Sequence, residues 1–137
     1  GGTAFISVKE SDRPAALEVV RQLQRLGFTV QATSGTAAYL RDHGVNAETV
    51  NKVMEGRPHV VDHIKNGQVA LVVNTVRTAA SHADSLSIRR EALNKGLAYY
   101  TTIRGARAAV MGIEAILKKE LTIRSLQEYH GTGSAER

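Results

Sequence analysis

The sequence predicts an α/β domain: a central, mainly parallel β-sheet flanked by helices in three α/β/α layers. Three observations point there. Short apolar runs alternate with stretches whose apolar residues recur at helical spacing, and the connections between them are short. The run Val69-Ala70-Leu71-Val72-Val73 has no polar alternation, as expected of a strand buried on both faces. The length, 137 residues, suits a single core, and 42% apolar with 23% charged residues is ordinary globular usage.

The elements follow in order. Phe5-Ile6-Ser7-Val8 reads as a first strand. Ser11 or Asp12 can cap the next segment, and Pro14 fits the first turn of a helix. Ala16, Val19, Val20, Leu23 and Leu26 then share one helical stripe, which Gly27 stops. Phe28–Ala32 is a second strand, and a short helix from Ala37 to His43 ends at Gly44. A third extended piece lies near Thr49–Val53. Pro58 opens a brief helix through Val60, Val61 and Ile64, closed by the turn dipeptide Asn66-Gly67. Val69–Val73 is the most strand-like segment. Asp84 or Ser85 caps a helix running to Lys95, Leu97–Thr101 is another strand, and a final helix spans about Ala106 to Lys119. Gly131–Arg137 reads as a frayed tail on a single domain, 1–137. The start, Gly1-Gly2-Thr3, has neither an initiator Met nor a signal sequence, so the chain reads as a piece of a longer protein or as carrying a tag scar.

Composition excludes several classes of function. There is no cysteine, which removes disulfides, thiol nucleophiles, Fe–S clusters and cysteine-bound zinc, and it fits a reducing compartment. No apolar run approaches the ~20 residues of a membrane helix, so no membrane role is expected. The net charge of +5 favours an anionic partner. Six aromatics, two Phe and four Tyr, are too few for base-stacking platforms, so no nucleic acid is expected.

Open parallel sheets bind ligands beyond the carboxyl ends of their strands. The segment Thr33-Ser34-Gly35-Thr36, between the second strand and its helix, combines three hydroxyls, a glycine that admits close backbone approach, and the free amides of a helix start. That is suitable equipment for a phosphate. The plainer reading is that Thr36 caps the helix and Ser34-Gly35 turns the chain. Equivalent strand ends carry Ser7 and Arg13, Lys52, Asn74-Thr75 and Thr101-Thr102. Five successive loops with donors on one rim are more telling than any one of them.

Other constellations are weaker. His59 and His63 have the i, i+4 spacing of helix-borne metal ligands, but no glutamate adjoins the first and no third ligand is evident, so no metal is assigned. Arg89-Arg90 and Lys118-Lys119 read as solvated helix faces. No Gly-x-Ser-x-Gly elbow exists to support a serine hydrolase.

Several blocks resemble one family. Ser7-Val8-Lys9-Glu10-x-Asp12-Arg13, Gly27-Phe28, Ala32–Ala37 and Asn51-Lys52-Val53-x-Glu55-Gly56-Arg57-Pro58-His59 carry the likeness. Asp62-x-Ile64-Lys65-Asn66-Gly67, Asn74-Thr75, Ser87-Ile88-Arg89-Arg90-x-Ala92-Leu93 and Tyr100-Thr101-Thr102 extend it from about Thr3 to His130. Together they resemble the C-terminal regulatory domain of the large subunit of bacterial carbamoyl-phosphate synthase, the glutamine-hydrolysing ATP- and Mg-dependent ligase of pyrimidine and arginine biosynthesis. The resemblance implies a methylglyoxal synthase-like fold and a cytoplasmic, non-catalytic domain with no cofactor of its own. It also implies nucleotide effectors, UMP as inhibitor and IMP as activator, and a contribution to an ornithine site. Its partners would be the synthetase domains of the same chain and the glutaminase small subunit.

Carried over by the same resemblance, Ser7, Thr33, Thr36 and Lys52 would hold the effector phosphate, with Arg13, Ser34, Gly35 and Thr75 beside them. Asn74, Asp84 and Ile88 would line the ribose and base, and Thr101 would face ornithine. Two positions depart from the pattern. Arg13 stands where the family has lysine, keeping charge but changing reach and hydrogen-bond geometry. Val76 replaces a hydroxyl residue found in some relatives. The alternative on this fold is a methylglyoxal synthase-type lyase, which eliminates phosphate from dihydroxyacetone phosphate and needs a carboxylate base. The corresponding stretch, Glu55-Gly56-Arg57-Pro58-His59, has no aspartate in that role.

Overall fold

A computed structural model of the chain describes residues 2–51, 59–76 and 82–135. Among the described residues five strands alternate with five helices: β1 (Gly2–Ser7), α1 (Arg13–Arg25), β2 (Phe28–Ala32), α2 (Ser34–Asp42), β3 (Glu48–Thr49), α3 (Val60–Lys65), β4 (Leu71–Asn74), α4 (His82–Asn94), β5 (Ala98–Tyr100) and α5 (Ile103–Ala135). A 3₁₀ turn, Glu10–Asp12, leads into α1.

The sheet order is β3-β2-β1-β4-β5 and every pairing is parallel. The chain winds outward from β1 to β3, then returns to the other side of β1. Parallel crossovers are right-handed, so that reversal must send later helices to the opposite face. The packing shows it. Ala4 and Ile6 of β1, with Leu71 and Val73 of β4, pack with residues of α1, α2 and α5. Phe5 and Val72, the alternate residues of the same strands, pack with Val60, Val61 and Ile64 of α3 and Ile88 and Ala92 of α4. Successive side chains of a strand point to opposite faces, so a strand buried on both sides must be apolar throughout. This is the predicted three-layer arrangement.

Local differences from the sequence expectations have physical causes. Arg13 begins α1 with Pro14 next, but Asp12 at the N-cap makes no side-chain capping bond. Gly27 does end it, at φ 93°. α2 starts at Ser34 rather than Ala37, because Thr33 takes the N-cap in extended conformation. β3 is only two residues long; pairing beyond it is an isolated bridge between Asn51 and His59. α4 starts at His82, so Asp84 and Ser85 lie in its first turn rather than ahead of it. α5 continues from Ile103 to Ala135, past the Lys119 end that its apolar stripe suggested and into the stretch read as a tail. None of the helices, over the described residues, is long and apolar enough to cross a membrane.

Candidate functional site

The strand order reverses between β1 and β4, and crevices at such points, outside the strands' carboxyl ends, are where open α/β sheets bind ligands. The register puts Ser7 directly opposite Asn74 there. Two backbone bonds lock neighbouring segments to the same rim: Thr33 N–H donates to Ile6 O (3.3 Å) and Thr75 N–H to Ser7 O (2.9 Å). Ser7, Thr33, Asn74 and Thr75 therefore converge although up to 68 residues separate them in sequence.

The start of α2 is the most anion-ready part of this rim. Thr33 occupies the N-cap position without capping. Its hydroxyl turns toward Ser7 Oγ (3.3 Å) and approaches Thr36 Oγ1 (3.5 Å). The first amides of a helix have no intrahelical acceptor. Those of Ser34, Gly35 and Thr36 are thus left at the positive end of the helix dipole, where an anion is stabilised. Ser34 and Gly35 are exposed. The plainer sequence reading, in which Thr36 caps the helix, does not hold.

Arg13, the first residue of α1, completes the arrangement. A Cβ placed on Gly35 would lie 2.6 Å from Arg13 Nη2 and 3.5 Å from Cζ, so the guanidinium sits directly over the glycine backbone. Arg13 Nε is buried without a hydrogen-bond partner among the described residues. Burying a donor without an acceptor costs ~1–3 kcal/mol, and an anion beside the guanidinium relieves that cost. Arginine can engage a phosphate with two parallel N–H bonds, which a lysine cannot.

Two buried hydroxyls of the group have structural partners. Thr36 Oγ1, 2% exposed, accepts from Val8 N–H (3.3 Å) and donates to Val8 O (3.4 Å). Thr75 Oγ1, 1% exposed, accepts from Lys9 N–H (3.1 Å). Both hold the turn after β1 and so shape the rim from below. Lys52 lies outside the described residues, as does the side chain of Asp84.

Asn74 leads to a second space. A cavity of about 330 Å³ is lined by Asn74, Val76, Ser85, Leu86, Arg89, Tyr99 and Thr101. Thus Asn74, expected toward the nucleotide, and Thr101, expected toward ornithine, open on one cavity. Ile88, expected beside the base, is instead buried among Phe5, Val60 and Val72 in the core behind that wall. Sequence reasoning missed Ser85 and Tyr99; Arg89, read as part of a solvated helix face, is indeed exposed and also borders the cavity. The signal for Arg89 was present: it lies one turn beyond Ser85, so both share the face of α4 toward the cavity. Tyr99 gave no comparable signal, since strand tyrosines are common core residues.

Two other features belong elsewhere. His59 is the N-cap of α3, where its backbone N–H donates to Asp62 Oδ2 (3.0 Å), and His63 Nδ1 is hydrogen-bonded to Gln68. Among the described residues no group of three or more His, Asp or Glu could hold a metal ion. A larger cavity, about 680 Å³, lies between the end of α1 and α5, with Leu26, Leu117 and Leu121 in its lining. α1 runs back from the carboxyl end of β1, which puts that groove at the opposite end of the sheet from the crevice.

Comparison with known proteins fits this geometry. The profile of the MGS-like domain family matches residues 15–101. The chain is 46% identical over 134 residues to the carbamoyl phosphate synthase large chain of Myxococcus xanthus, covering 98% of this chain and 12% of that one. The corresponding large chains of Ralstonia nicotianae and Xylella fastidiosa are 49% and 50% identical, over 96% and 94% of this chain and again 12% of theirs. The chain therefore spans about an eighth of the length of these relatives. Among solved structures, ForH superposes with a TM-score of 0.55 at 17% identity, over 83% of this chain and 80% of that one, a likeness of fold alone. With an all-parallel five-stranded sheet, helices on both faces and this sequence identity, the chain belongs to the MGS-like domain family, in the form found in carbamoyl phosphate synthase large chains.

Proposed function

We propose that the chain is the allosteric regulatory domain of a carbamoyl-phosphate synthase large chain. It binds a nucleoside monophosphate, UMP or IMP, at the crevice between β1 and β4. One observation carries the reading: the Arg13 guanidinium faces the uncapped start of α2 across Gly35, with the Ser7 and Thr33 hydroxyls alongside. Phosphate is the part of a nucleotide that such a cradle recognises. Lys52 would add a second cation, and Asp84 would reach the sugar or base. The cavity bearing Thr101 would contribute to the ornithine site. Its described lining includes Arg89 but no carboxylate, so ornithine's ammonium groups would be met by residues of the neighbouring synthetase domain. ATP, Mg and glutamine would be handled by those domains and by the glutaminase subunit, in the cytoplasm. An effector shifts the enzyme only by its differential affinity for two states, typically ~1–3 kcal/mol.

A ligand that binds only the native state must raise its melting temperature. Saturating UMP or IMP is expected to raise that of this chain, and inorganic phosphate to do so more weakly. No shift with any of the three would overturn the site. The shared family also includes a lyase reading, and the two part on one assay. Incubation with dihydroxyacetone phosphate is expected to release phosphate no faster than buffer. Saturable release would make the domain an enzyme.

A further inference from the structure

We propose that Ser85 and Tyr99 are positioning residues that fix the side-chain amide of Asn74 with its carbonyl oxygen toward the ligand, so that the site selects a sugar hydroxyl donor. The inference rests on the nucleotide reading above and adds how the site tells one such ligand from another.

Asn74 ends β4 opposite Ser7, immediately beside the phosphate cradle, and is 4% exposed. A side-chain amide has two donors at one end and an acceptor at the other, and half a turn about its last bond exchanges them. An asparagine therefore discriminates donor from acceptor only when its neighbours forbid that turn. Here Asn74 Nδ2 lies 3.2 Å from Ser85 Oγ and 3.2 Å from Tyr99 Oη. Hydroxyls can donate or accept, so these contacts alone leave the orientation open.

The Val76 carbonyl closes the choice. Ser85 Oγ donates its single proton to Val76 O (3.4 Å), a group that only accepts. Ser85 can then only accept from Asn74, so the nitrogen end of the amide must face it. Tyr99 takes the second amide proton. Both donors are spent, and Oδ1 makes no hydrogen bond with a described residue. It is the part of Asn74 left for a ligand.

An acceptor oxygen at this place repels the phosphate oxygens and favours a donor one sugar's length from them. In a nucleoside monophosphate that donor is a ribose hydroxyl. Each anchor comes from a different element, Ser85 from α4 and Tyr99 from β5, so the polarity of Asn74 is set by the packing of two elements onto β4.

The test is calorimetric titration of the chain with UMP, its 2′-deoxy and 3′-deoxy analogues, and inorganic phosphate. Wild type is compared with Ser85→Ala, Tyr99→Phe, the double variant, and Ser85→Thr, which keeps the hydroxyl. Wild type is expected to bind at least one deoxy analogue about 5- to 30-fold more weakly than UMP, the value of one hydrogen bond to a buried acceptor. The double variant should lose that preference because UMP weakens while the deoxy analogue and phosphate do not, and Ser85→Thr should retain it. A purely structural role would weaken all ligands alike and overturn the inference. So would persistence of the preference in the double variant, or equal wild-type binding of UMP and both analogues. A melting curve for each variant shows that it folds, and Ser85→Ala alone carries the test if the double variant does not. If wild type binds neither UMP nor phosphate, the nucleotide reading itself fails.

Discussion

Gly35 shows how a single residue can separate ligand binding from stability. It lies in the first turn of α2, and its φ is outside the left-handed range, so alanine is conformationally acceptable there. The added methyl would meet only the far end of a flexible side chain, Arg13 Nη2. Gly35→Ala is therefore expected to leave stability within about 0.5 kcal/mol of wild type while displacing the guanidinium. Loss of one charge-assisted contact of ~1.5–3 kcal/mol corresponds to a ten- to hundredfold weaker affinity for phosphate or UMP. Melting curves and calorimetry on the same sample check both halves. Thr36→Val should do the reverse in part: it strips Val8 N–H of its buried acceptor, at a cost of ~1–3 kcal/mol in stability by denaturant titration. At this scale the sequence was informative about which residues would meet at the rim, since Thr33 to Thr36 are adjacent and carry a recognisable chemistry. It was uninformative about roles. Thr36 and Thr75 read as ligand contacts, yet their hydroxyls bond the backbone after β1, because partners at residues 8 and 9 are distant in sequence.

The elements differ in how fully packing determines them. Leu23 on α1 is fully buried against the sheet, and Leu23→Ala is expected to cost about 2–5 kcal/mol. Ile123, 44% exposed on the outer part of α5, should tolerate alanine within about 0.5 kcal/mol. Chemical denaturation of the two variants checks the contrast. The same difference explains what was legible. α1 has a buried stripe from Ala16 to Leu23, a proline at its start and a glycine at its end, and its predicted bounds hold closely. α5 is legible only as far as its stripe packs: Ala106 and Val110 are buried, whereas Met111, Ile116 and Leu121 are exposed. From residue 111 to residue 125 the helix continues without a buried residue, so periodicity has nothing to report there. β3 covers Glu48–Thr49 and the reading near Thr49–Val53 runs on outside the described residues; an edge strand of two residues carries too few side chains to show its start by pattern.

Over the whole molecule, the decisive feature is the reversal of strand order between β1 and β4. Strand–helix alternation and the apolar run of β4 foretold the parallel sheet, and the carboxyl-end rule foretold the rim. The pairing of Ser7 with Asn74 was not readable, since register between strands so far apart leaves no local trace. The reversal brings the α2 cradle and the Asn74 cavity side by side, while the larger groove at the α1–α5 end lies across the sheet. That separation makes location the sharpest question. Backbone amide NMR spectra of the labelled chain, recorded during titration with UMP, answer it most directly. The account predicts saturable shifts concentrated on Ser34, Gly35 and Thr36, on Asn74 and Thr75, and on the Arg13 Nε–H, which has no acceptor among the described residues. Shifts clustered instead at Arg25, Leu117 and Leu121 in the distant groove, or no saturable change at the start of α2, would contradict it.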